Sequence, residues 1–348
     1  MIIINPVSLG DVSCTRAAAA PYYDRNGVQQ MAPPNTLRVT YDPNDLSKAP
    51  YALLDAGEVI GPGSGLVYSN VPLTEAPYSI AATYAQNAAV YDPATYLMYR
   101  SLIPNNVGKA LTDTTAWVPM KVSVNRRQMF DQYNSTQTSN ADEIIVVVSP
   151  QTLARGVFLG NIDAVDVRFS VTDLNAGLVY RETQALTQSN SKSSFYRWGF
   201  ERIRRRRVTS TIKLPPYANA LVTIAIRKPG GIAKCGVAAV GPTIDCGLSQ
   251  YGLSRGIKDW STVQFNFDGT DDSTIRGFSK TMELDVIIDN SNIDYVTDTL
   301  EDLRQTPVAW VATDLYSSAG IFGKYQDFKN VVEGFPESKM SLQIQGTV

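Results

Sequence analysis

The chain has 348 residues with 31 Lys and Arg against 33 Asp and Glu, so no net field draws it to nucleic acid or to a membrane surface. It contains no histidine, which excludes Ser-His-Asp and Cys-His chemistry and the commonest metal ligand. Hydrophobic residues at 44% and charged residues at 18% describe a globular chain long enough for two or three domains.

Met1-Ile2-Ile3-Ile4 is apolar but has no basic start and is broken by Pro6, so it reads as a β arm and not as a signal peptide. No apolar run approaches a membrane span, and no membrane insertion is expected. Tyr22 to Val28 reads as strand, Asn26-Gly27 turn, strand. Leu37 to Tyr41 alternates as a further strand. Breakers such as Pro33-Pro34 and Gly61-Pro62-Gly63-Ser64-Gly65 separate short extended pieces. The glycine-rich stretch lacks the Lys-Ser/Thr of a phosphate loop and reads as a hinge or loop. Residues 1–80 are thus expected to be an extended β/loop region, one that would gain stability as an arm on a neighbouring subunit.

Tyr84 to Met120 carries Tyr84, Tyr91, Tyr96 and Tyr99 and closes on Trp117. Tyr96 to Ser101 alternates as a short strand between turns at Asp92-Pro93 and Pro104-Asn105-Asn106. So small a segment makes no large core, and its rings must either pack on one another or offer a stacking surface. Both roles stay open for Trp117.

Residues 123–140 read as a linker, with a polar stretch from Asn134 to Asn140. From Glu143 the pattern changes. Ile144 to Val148 is a continuous β-branched run, the mark of a buried strand. Val165 to Val171 alternates, and Asp173-Leu174-Asn175-Ala176-Gly177 turns it into Leu178 to Arg181. Thr209–Leu214, Ala220–Arg227, Thr262–Phe267 and Met282–Ile288 are further strands. One helix is predicted over Asp294–Arg304, with Val296, Leu300 and Leu303 on one face, ended by Pro307 before a buried strand at Val308–Ala312. The fold class is therefore mainly β and multi-domain. A small module at 81–122 joins a β-sandwich or jelly-roll-like body at 141–348 with one short helix.

Arg204-Arg205-Arg206-Arg207, with Arg197 and Arg202 nearby, is the strong charge cluster. Phosphate contact, a solvated edge and a subunit interface all fit such a run. No nucleic-acid reading motif accompanies it, and arginine's fork suits interfacial carboxylates, so an interface is expected and nucleic acid is not. The acids of the predicted helix, Asp294, Asp298, Glu301 and Asp302, are candidate partners. Asp268-Gly269-Thr270-Asp271-Asp272 lacks calcium-loop spacing and reads as a polar turn. Glu283, Asp285 and Asp289 fall on one strand face, either as a carboxylate set or as a solvent face. Cys14, Cys235 and Cys246 form neither a zinc pattern nor a disulfide framework, although Cys235 and Cys246 are near enough in sequence to pair. Neither cofactor nor metal is expected.

Three stretches carry a resemblance. Val90-Tyr91, Tyr99-Arg100-Ser101, Asn106-Val107-Gly108, Leu111 to Thr114 and Trp117 resemble the chitin-binding-like (carbohydrate-binding family 5/12-like) modules of tailed-phage tail proteins. Where those modules place a glycine three residues after an early Tyr, this chain has Asn87, which also tolerates left-handed backbone. Asn35, Arg38, Tyr41, Asp42 and Pro43 fit a segment of phage structural proteins. Thr306 to Trp310, Tyr325 to Phe328 and the closing alternation of Ser341 to Gly346 are similar to virion proteins that carry the module. The resemblance implies a non-enzymatic structural protein of a tailed-phage virion, at the tail tip or baseplate. It would be a homo-oligomer among other virion proteins, assembled in the host cytoplasm. Host surface glycan would be met through Tyr91, Tyr96, Tyr99 and Trp117. A glycan-degrading tail enzyme, a head-to-tail connector and a capsid decoration protein are the alternatives.

Overall fold

The computed structural model describes residues 1–54, 58–188, 195, 200, 204–265, 267–313, 316, 319–332, 334 and 336–348. Three sheets are stacked through the body. The first has six strands in the order Gly177–Ala185, Asp166–Asp173, Ala220–Cys235, Thr138–Ser149, Gly65–Ser69, Gly10–Asp11. Its centre is the predicted β-branched run. Side-chain direction alternates along a strand, so Ile144, Val146 and Val148 enter one core and Ile145 and Val147 another. The run is continuous because both of its faces are covered.

The second sheet has three strands, Val208–Thr211, Gly156–Gly160 and Val237–Gly241, and lies in the middle of the stack. Val157, Leu159, Ala238 and Val240 pack toward the six-stranded sheet. Phe158, Val237 and Ala239 pack the other way, against Ile4, Ala309, Val311 and Phe322. Closeness leaves no room at its glycines: a Cβ on Gly241 would lie 1.8 Å from the Asn5 carbonyl oxygen.

The third sheet has eight strands. Ile2–Ile4 is threaded between Thr243–Asp245 and Val308–Val311, followed by Gly320–Val331, Glu337–Gly346 and Phe278–Asp289. The outer face takes the helix Ile293–Asp302 through Val296, Leu300 and Leu303, as the 3.6-residue period predicts. Trp310 lies in this core, donating its indole N–H to the Gly323 carbonyl at 2.9 Å, with Tyr325 and then Phe328 packed edge-on beyond it.

The amino-terminal region folds onto this chain's own sheets. Ile2–Ile4 is an interior strand, and Leu37, Val39, Tyr41 and Ala52 cover Ile145, Val147, Leu221 and Ala225 of the six-stranded sheet. This explains a departure from the alternating pattern at Asp166–Asp173, whose polar face is buried as well. Arg168 donates to the Leu46 and Lys48 carbonyls, and the Ser170 hydroxyl donates to that of Pro50 at 2.6 Å. The expected linker is also more ordered than its polarity suggests. Asn125–Phe130 is a 3-10 helix, and Thr138 to Asn140 open the long central strand.

Hairpin chemistry follows the sequence closely. Tyr22-Tyr23 pairs with Gln29-Gln30, Gly27 takes φ +74°, and the Asp24 carboxylate accepts from the Asn26 and Val28 amides. Asp173 accepts from the amides of Asn175 and Ala176 ahead of Gly177 at φ +73°.

Candidate functional site

The segment expected to be a small module carries a three-stranded antiparallel sheet of Ala89–Tyr91, Leu97–Ser101 and Trp117–Ser123. Asn87 has φ +66°, the left-handed backbone expected at that position. Trp117 is 1% exposed, with Tyr78 edge-on at 5.6 Å and Tyr84 at 5.3 Å. Its indole N–H donates to the Lys109 carbonyl. A ring so enclosed offers no face to a sugar, so Trp117 is the centre of the module's small core with Val90 and Ala116. Tyr91, 7% exposed, is likewise removed from the candidate glycan contacts. Asn106 is buried and donates to the Ser101 hydroxyl and the Ala116 carbonyl, so this part of the motif is structural too.

Tyr96 is half-buried and serves the joint between module and body. It adopts φ +59°, stacks on Tyr91 at 5.8 Å, and lies under the Arg127 guanidinium at 4.7 Å. Its hydroxyl donates to Asp11, which also accepts from Arg127. That hydrogen bond to Asp11 is the main reason the Tyr96 pKa is raised. Tyr99 is half-buried against the module core. Of the four residues put forward for glycan contact, two are core, one is a clamp, and Tyr99 alone keeps part of its ring outward without a second task.

The segment at Asn35 to Pro43 has a structural use. Glu58 is nearly enclosed, at 1% side-chain exposure, and accepts from Arg16 at 3.1 Å and from Arg38 at 3.2 Å. The Asn35 side chain accepts from the Arg16 amide. Tyr41 donates to Glu143 at 2.5 Å. Burial pushes the Glu143 carboxyl above its usual range, and the Tyr41 hydrogen bond pulls it partly back.

The arginine run is open in the isolated chain. Arg204 to Arg207 are all exposed, and among the described residues no salt bridge joins them to the helix acids or to any other carboxylate. Arg197 and Arg202 lie outside the described residues. Two surface pockets flank the Val208–Thr211 strand that follows. One, of about 240 Å³, is polar and lined by Arg206, Glu182 and Tyr316. The other, of about 250 Å³, is lined by Arg207, Lys280, Val208, Phe278, Ile321 and Phe322. Desolvation against the groove, and then the Arg207 charge, lower the Lys280 pKa.

Composition did not single out the feature that stands farthest from a normal surface. Ser254–Asp259 pairs with Phe278–Glu283, and beyond it Thr262–Phe265 pairs with Asp271–Thr274, making a two-stranded arm that leaves the eight-stranded sheet. Every described residue of both outer strands is exposed. Val263 and Phe265 share one face at 51% and 80% exposure, and Phe267 and Ile275 are 110% and 87% exposed. The opposite face is polar, with Thr262, Gln264, Asp272 and Thr274. The signal was in the sequence, as alternation within Thr262–Phe267, but nothing local says that the apolar side stays uncovered. Asp268 closes the tip by accepting from the amide and hydroxyl of Thr270.

The carboxylates at 283–289 take separate roles. Asp285 pairs with Lys339 at 3.0 Å, and Asp289 caps the next turn by accepting from Ser291. The three thiols are free and buried, with Cys235 and Cys246 in different cores, so they do not pair. Burial pushes both thiols up to about 12. Among the described residues no three His, Cys, Asp or Glu side chains gather as a metal site, and no helix is long and apolar enough to cross a membrane. No protein-family model, curated protein or solved structure matches the chain.

Proposed function

We propose that this chain is a structural subunit of a tailed-phage virion, placed at the tail tip or baseplate and working as a homo-oligomer beside other virion proteins. The observation that carries the reading is the exposed apolar face of the arm, Val263, Phe265, Phe267 and Ile275, beside a body whose three main sheets pack against one another through buried cores. Monomers rarely keep such a face in water, because burying it against a partner is favourable by roughly 25 cal/mol per Å². The phage setting rests on the sequence resemblances at Asn35–Pro43, at the module and at Thr306–Phe328. Several of these motif residues hold this chain together, as Arg38, Tyr41, Trp117 and Trp310 do, which suits a structural role more than a reaction. With Trp117 and Tyr91 in the core, the module's part in this reading is a rigid appendage, with glycan contact reduced to Tyr99.

The test is made on purified particles. Mass spectrometry should find the chain in a fixed ratio to the major virion proteins, and an antibody against it should label one end of the tail. Particles devoid of the chain, with all of it free in the lysate, would overturn the reading. Release of reducing sugar from host polysaccharide, lost on Glu283→Gln, would instead favour the glycan-degrading alternative.

A further inference from the structure

We infer that the arm of one copy docks on the Arg204–Arg207 face of the next copy, in a head-to-tail contact. The inference rests on the reading of the chain as an assembly subunit and names the partner of the arm.

The arm supplies an apolar face with an acid on it. Phe265 is directly across from Asp271, so both point the same way, and Asp268 lies at the tip beside them. An isolated two-stranded ribbon has no second layer to bury such a face and is marginal in water. The arginine face supplies the complement. The four exposed arginines end at Arg207, which with Lys280 lines a pocket of about 250 Å³ whose apolar walls include Val208, Ile321 and Phe322, while Arg206 lines the neighbouring polar pocket. Aromatic rings flanked by carboxylates meet an apolar hollow beside guanidinium groups, so the rings supply the apolar centre of the contact and the charge-assisted pairs its polar rim. Glu182, the acid on the polar side of this face, is already engaged by the hydroxyls of Tyr180 and Thr211.

The chain's own arm does not reach this face. Phe278, at the arm's base, lines the pocket, whereas Phe265, Phe267 and Asp271 at its far end do not. Asp271 lies seven positions before Phe278, at most about 23 Å of extended chain at ~3.3 Å per residue. A second copy satisfies both surfaces at once. Since arm and groove are different patches, the contact is heterologous and generates a ring when the rotation closes.

The experiment uses the full chain in sedimentation velocity over a concentration series. Wild type should associate beyond a dimer. An arm variant, Phe265→Ser with Phe267→Ser, and a groove variant, Arg206→Glu with Arg207→Glu, should each weaken association about tenfold or more. Both should keep the wild-type melting temperature, because all four side chains are exposed. An equimolar mixture of the two variants should form pairs and stop there, since the arm-dead copy still offers a groove and the groove-dead copy still offers an arm. Should either variant fail to fold, Asp271→Lys and Arg207→Glu replace them: each alone should weaken association, and the two in one chain should restore it. A monomeric wild type, variants that assemble like wild type, or a mixture that stays monomeric would each overturn the contact. Particles that contain the chain, together with a monomeric purified chain, would remove this contact and leave the proposed function standing.

Discussion

Two outgrowths of the body are rich in aromatic residues and treat them in opposite ways. The module at 84–120 encloses Trp117 with Tyr78 and Tyr84 until 1% of it is exposed. The arm between Ser254 and Glu283 leaves Phe265 at 80% and Phe267 at 110%. Residue type does not separate them; topology does. The module has three strands and long connecting loops that fold over one face. The arm is two strands with a tight tip, and among the described residues its apolar side chains stay exposed. Aromatic residues on a small appendage are core where the local chain can close around them, and contact surface where it cannot.

The largest expected effect falls on the enclosed side. Trp117→Ala removes the centre of the module's core and should cost about 3–5 kcal/mol of module stability. Hydrogen exchange should show residues 84–120 losing protection while the central strand Thr138–Ser149 keeps its own. An unchanged module would break the comparison, because Trp117 would then not be its core. Glu58→Gln tests the amino-terminal layer on the same logic. It leaves Arg16 and Arg38 buried without their carboxylate, and breaking a buried pair costs about 3–5 kcal/mol. Denaturant unfolding should register that loss; a loss below about 1 kcal/mol would show the triad to be solvated.

Tyr41→Phe is smaller and depends on pH. The Tyr41 hydroxyl favours the Glu143 carboxylate, which burial alone would push further up. A group whose folded pKa is raised is stabilising below its unfolded value, and that contribution is lost as pH rises through the folded value. Removing the donor raises the folded pKa again. The variant should therefore lose about 1.5–3 kcal/mol at pH 7, the range for a hydrogen bond to a charged group. The loss should shrink as pH falls toward the usual carboxylate range, and melting curves at pH 7 and pH 4.5 read the difference. A loss that grew on acidification would contradict this role for Tyr41.

Much of this was legible in the chain. The run Ile144–Val148, the helix face of Val296, Leu300 and Leu303, the turns at Gly27 and Gly177, and the left-handed Asn87 all follow from local rules. Gly156–Gly160 and Val237–Gly241 did not stand out, although each is an apolar run bracketed by glycine, the form a strand takes when both faces are buried. The threading of Ile2–Ile4 into the eight-stranded sheet was not legible either, because its partners at 243–245 and 308–311 are more than two hundred residues away. The candidate site was half legible. The arginine run stood out by charge, whereas the arm became visible only in the exposure of Val263, Phe265, Phe267 and Ile275 among the described residues.

The smallest expected effect on stability is at the arm. Phe267→Ala should change the melting temperature little, within the ±0.5 kcal/mol usual for exposed positions, while still weakening assembly. Were it to destabilise the chain as Trp117→Ala does, the contrast between the two outgrowths would be lost.

The most direct test of the account is an image of the assembled particle at side-chain resolution. Phe265 and Phe267 should lie against Val208 and Phe322 of the adjacent copy, with Asp271 within salt-bridge distance of Arg206 or Arg207, while Trp117 stays enclosed in its own module. An arm that projects into solvent in the assembled particle, with Arg204 to Arg207 equally bare, would contradict it.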